Sequence, residues 1–117
     1  MIFKRNYNLS LNRVHDTVRV VEGPDRLELR VDGDAMRMVA GLSQAQKRLQ
    51  ALDGDSTDEQ QRDAALYFAG VMFGAEQAGA LMDFYRGDAG CVIGVCGRYF
   101  SERLSKLIAQ AQKKAKL

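Results

Sequence analysis

Apolar and polar residues alternate along the first third of the chain, and from there to the end the apolar ones recur every three or four positions. The first rhythm is that of half-buried strands and the second that of amphipathic helices. Over residues 7–11, Tyr7, Leu9 and Leu11 alternate with Asn8 and Ser10, which predicts a short strand. Two longer strands are predicted over residues 17–22 and 26–32, joined by Gly23, Pro24 and Asp25. Proline presets one turn torsion, glycine accepts positive φ, and aspartate bonds nearby amides, so this connection suits a hairpin. In the second strand Leu27, Leu29 and Val31 share one face and Arg26, Glu28, Arg30 and Asp32 the other. Such a sheet is marginal alone and needs an apolar cover.

The cover is predicted from the helical part. Asp34 is placed to cap a helix whose stripe runs through Met36, Val39, Leu42, Ala45, Leu49 and Leu52. After Asp53, Gly54 and Asp55, the pair Ser56 and Glu59 has the spacing of a capping box for a second helix, with Ala65, Phe68, Ala69, Met72 and Phe73 inward. Gly74 is expected to end it. A third helix is predicted over residues 76–85 and a fourth from Ala89 to about Lys114, with Gly87 and Asp88 between them. The expected fold is α+β and mostly α: an N-terminal antiparallel hairpin or meander followed by about four helices packed on its apolar face. The 117 residues suffice for one domain, read as an extension over 1–16 that is flexible or adds an edge strand, a hairpin over 17–32 and a helical part over 34–116.

Gly90, Gly94 and Gly97 fall on one face of the fourth helix, each costing about 1 kcal/mol relative to alanine. Since that face lies nearly opposite Val92, Val95, Cys96 and Tyr99, the helix is expected to be buried on two sides, the glycines letting another backbone come close. The alternative is a late helix start with strand-like Cys91, Val92 and Ile93.

Composition adds little chemistry: 46% apolar, 27% charged, two cysteines, one histidine and no tryptophan. No apolar run nears the roughly 20 residues of a membrane span, and the first residues lack the apolar core of a secretory signal, so a cytoplasmic site is expected. No cofactor or metal is expected. The two cysteines and the distant histidine do not make a zinc set, and both cysteines are expected to be buried thiols. His15 is placed before the hairpin beside Asp16, a weak catalytic signal. The acidic run 53–59 lacks the glycine that a calcium loop needs at its sixth position, where Asp58 stands. No phosphate-binding glycine loop is present.

Net charge is +2, but its layout is uneven: +2 over residues 1–31, −3 over 32–63, −2 over 64–88 and +5 over 89–117. The basic end, with Arg98, Arg103, Lys106, Lys113, Lys114 and Lys116, suits a solvated helix terminus, contact with an acidic partner or a second copy, or nucleic acid. Among the aromatics, Phe73 and Tyr85 stand near helix ends, where an exposed ring would mark a protein-binding patch. The methionines Met36, Met38, Met72 and Met82 suit either core filling or adaptable contact.

The order of these features resembles the small tail assembly chaperones of long-tailed bacteriophages and prophages. The resemblance spans roughly residues 17–116. It rests on Val31-Asp32-Gly33-Asp34-Ala35-Met36 at the junction of hairpin and helix, on Phe68-Ala69-Gly70-Val71-Met72-Phe73-Gly74 closing the second helix, and on a short third helix before a long lysine-ended one. It implies a non-enzymatic, self-associating protein of the host cytoplasm that holds a tape-measure-type partner soluble during tail assembly. The protein-binding residues expected are Phe73, Tyr85, Gly90, Gly94, Gly97, Lys106, Lys113 and Lys114. The alternative is a small nucleic-acid-binding regulator that uses the basic terminal helix.

Overall fold

The computed structural model describes residues 13–115. Strands β1 (Arg13–Glu22) and β2 (Asp25–Asp34) pair antiparallel, with His15 opposite Asp32 and Val20 opposite Leu27. The helices α1 (Ala35–Gln50), α2 (Asp58–Phe73) and α3 (Ala75–Phe84) follow. The terminal helix begins as α4 (Ala89–Tyr99), widens into a π-helical turn (Phe100–Leu104) and resumes as α5 (Ser105–Ala115). The architecture is the expected hairpin with helices packed on its apolar face.

The hairpin is longer than expected. Its loop is only Gly23 and Pro24, and Asp25 belongs to β2. Gly23 has φ +59°, and a positive φ followed by the fixed negative φ of proline is the sign pattern of a II′ turn, whose twist matches the strands. β1 starts at Arg13 rather than Thr17, so residues 13–16 are strand, not extension, and His15 lies within β1 rather than before it. The strand expected over 7–11 lies outside the described residues.

Val14, Val20, Leu29 and Val31 are buried on the sheet's inner face, against α1, α2 and α3. α2 is the central helix, and Ala64, Ala65 and Ala69 let its neighbours come close. One close approach is at Gly41 of α1, where an added Cβ would lie 2.9 Å from a Val71 methyl. Leu81, Val92, Cys96 and Leu104 complete the core with no exposure.

Two local expectations need correction. Asp34 does cap α1, accepting a hydrogen bond from the Met36 amide at 2.9 Å, but the box that opens α2 is Thr57 with Gln60. Thr57 Oγ1 accepts from the Gln60 amide at 3.1 Å and Gln60 Oε1 from the Thr57 amide at 2.8 Å. Ser56 is already engaged one residue earlier, its Oγ accepting from the Asp53 amide at 2.9 Å. The second correction concerns the fourth helix. It starts at Ala89 with Asp88 as its cap, so Cys91, Val92 and Ile93 are helical. Its glycine face, however, is not packed by the described residues: Gly90 and Gly94 are exposed, and a Cβ at Gly94 or Gly97 would meet no described atom within 4 Å.

Candidate functional site

Two grooves flank the terminal helix. The first lies between α1 and α5. Val39, Leu42 and Leu49 of α1 form one wall, Phe100 and Ile108 of the terminal helix the other, and Phe68 of α2 the floor, enclosing about 430 Å³. Ser43 and Gln46 stand among these residues as the polar members of the lining. This groove exists because the α1 stripe is wider than α2 alone covers: only Ala35 and Ala45 of α1 are buried, whereas Val39, Leu42 and Leu49 stay partly open. Its shape and chemistry suit the apolar face of a helix.

The second groove, about 370 Å³, runs between β1 and the start of the terminal helix. Residues Val18 to Val21 form one side, and Tyr85, Val95, Arg98, Tyr99 and Glu102 the other. At its end Asp16 ties the hairpin to the terminal helix. Its Oδ2 accepts from the Tyr99 hydroxyl at 2.7 Å and from Arg103 Nε at 2.8 Å, and its Oδ1 accepts from Arg103 Nη2 at 3.2 Å. The Arg103 guanidinium holds the Asp16 carboxyl below its usual range, outweighing partial burial. Burial, then the bond to Asp16, pushes the Tyr99 hydroxyl up, and Asp16 raises Arg103 in turn. Such a carboxylate is an anchor: both of its oxygens are held by donors. His15 points to the opposite face of the sheet, where its Nδ1 lies 3.2 Å from Asp32, because neighbours on a strand face opposite ways. Among the described residues no group of three or more His, Cys, Asp or Glu stands close enough to hold a metal ion, and no helix is long and apolar enough to cross a membrane.

The expected binding residues are not brought together. Phe73 is buried, its ring 5.7 Å from that of Tyr99, so it belongs to the core and offers no docking surface. Tyr85 is partly buried at the second groove and stacks edge-on with Phe84 at 5.1 Å. Gly90 and Gly94 are exposed on α4, and Lys106 and Lys113 on α5; Lys114 follows Lys113, in the last helical turn described. Two of the basic residues are spoken for: Arg98 pairs with Glu102 at 3.0 Å and Arg103 with Asp16 at 2.8 Å. The cysteines differ from expectation too. Cys96 is buried, its thiol pushed up to about 12 by burial, but Cys91 is exposed beside Asp88 at the start of α4.

What sequence reasoning missed is the clamp at Asp16 and the groove of α1 with α5. Comparison with known protein families, with characterised proteins and with solved structures finds no match.

Proposed function

We propose that the protein is a non-enzymatic protein-binding module of the tail assembly chaperone kind, which holds a long helical, tape-measure-type partner and associates with itself. The observation that carries this reading is the apolar groove between α1 and α5, lined by Val39, Leu42, Leu49, Phe68, Phe100 and Ile108. Helix-in-groove recognition needs such a slot, read by partner residues spaced three and four apart. Exposed Lys106 and Lys113 supply charge elsewhere on α5, which keeps an apolar binder soluble. The regulator reading has less support, because Arg98 and Arg103 already have carboxylate partners within the chain.

Co-expression with a long helical protein of the tape-measure type tests the proposal. The partner should stay soluble with the wild-type chain and precipitate with Leu42→Asp or Ile108→Asp, whose own folding is checked by circular dichroism. Equal solubility with and without the chain, or a sequence-specific DNA complex that survives physiological salt, would overturn it.

A further inference from the structure

The two edges of the hairpin are treated differently. On β2 the Arg30 amide donates to Gln77 Oε1 at 2.7 Å, and the Arg30 carbonyl accepts from Gln77 Nε2 at 2.7 Å. Both main-chain groups of Arg30 therefore point away from β1. In an antiparallel pair, the residue opposite must then also point its groups outward, and that residue is Thr17. By the period of two, the same holds for His15, Arg19 and Val21, none of whose main-chain groups has a hydrogen-bond partner among the described residues. β1 thus presents an unpaired ladder to the second groove, with Val21 57% exposed at its end.

We propose that this edge takes an extended peptide of alternating apolar and acidic residues as a third strand. The two faces of the hairpin choose that chemistry. On the inner side, partly buried Val18, Val95 and Tyr85 leave apolar surface that every second side chain of an added strand would cover. On the outer side β1 carries Arg13, His15 and Arg19 and no carboxylate; the exposed pairs that Arg13 and Arg19 make across the hairpin with Asp32 at 2.9 Å and Glu28 at 3.7 Å are weak, and with β2's Arg26, Arg30, Glu28, Asp32 and Asp34 that face sums to +1 with His15 neutral. Acidic side chains fit there. A second copy pairing edge to edge would instead set arginine rows against each other, which is unfavourable. The inference is independent of the helix groove, since it uses a different face of the molecule.

The test uses the full chain, labelled for amide NMR, and a synthetic octapeptide alternating valine and glutamate. Its addition should shift the Thr17, Arg19 and Val21 amides and slow their hydrogen exchange. N-methylating every second peptide residue should abolish the effect, and replacing glutamate with lysine should weaken binding about tenfold or more. Arg19→Pro should weaken binding about tenfold further than Arg19→Ala, because it removes an outward donor without touching a hairpin bond. If Arg19→Pro fails to fold, the N-methylated peptide still decides. Amides unmoved by any peptide would overturn the proposal. So would amides already protected in the free chain, which would show the edge taken by residues 1–12 or, if the mass doubles, by a second copy.

Discussion

At the scale of single residues, Asp16 does the most to join the two halves of the molecule. Its side chain is 18% exposed while that of Arg103 is half-exposed, so solvent screening limits the pair. Asp16→Ala is expected to cost about 1–2 kcal/mol, read as a lower denaturation midpoint at unchanged slope. The pH dependence has two arms. Asp16 titrates lower in the folded chain than its ordinary 3.8, so its contribution is present above that value and lost as pH falls through the folded pKa. Cys96 titrates higher, at about 12 against an ordinary 9.0, so its contribution is complete below 9.0 and declines as pH rises towards about 12. Tyr99, also raised, acts in the same direction above its ordinary 10.0. Stability should therefore form a plateau between these arms, and the acid arm should flatten in Asp16→Ala. The thiols give a separate check: one per chain, Cys91, should react with a thiol reagent in the native state and both in denaturant. Two fast thiols would place Cys96 outside the core.

At the scale of elements, three glycines show how one residue type answers three different demands. Gly41→Ala should cost about 1–3 kcal/mol, because the new Cβ would meet a β-branched methyl at 2.9 Å that has little freedom to turn away. Gly74→Ala should cost about as much for another reason: φ +85° and ψ 159° lie in a region open essentially to glycine alone, and the space around it is empty. Gly94→Ala should stabilise by about 0.5–1 kcal/mol, since the site is helical, exposed and open. Thermal melts of the three variants would check the signs. A destabilised Gly94→Ala would mean that something beyond the described residues sits on that face.

The elements also show which structure was legible beforehand. The switch from period two to period 3.6 located the hairpin and the α-helices among the described residues, and Asp34 and Gly74 marked boundaries that the structure keeps. The π turn was legible only in part. Tyr99 and Leu104 are buried on one face five residues apart, with the Ser105 amide bonded to the Phe100 carbonyl, but the four-residue step from Phe100 to Leu104 disguises it as ordinary α-helix. Thr57 with Gln60 was hidden by the better-known glutamate at the next-door spacing. Gly41, Asp16 and Gln77 carried no local signal, because each acts on a residue 30 or more positions away.

At the scale of the whole molecule, the dominant facts are shape and charge layout. The molecule measures 54 × 33 × 21 Å with a radius of gyration of 15.7 Å, against about 13 Å for a compact chain of this length. An elongated body keeps both grooves accessible. The acidic middle and basic end give head-to-tail contact an electrostatic basis, but each exposed pair contributes only about 0.2–1 kcal/mol. Self-association built this way must use several pairs and must weaken with salt. Light scattering behind a sizing column should show more than one copy at about 100 µM, where association worth about −5 to −6 kcal/mol is visible. Replacing Lys106, Lys113, Lys114 and Lys116 with glutamate should then lower the mass towards monomer at low salt. A strict monomer in the wild type at that concentration would remove self-association from the proposed function, and an oligomer indifferent to both salt and charge reversal would assign the contact to apolar surface instead.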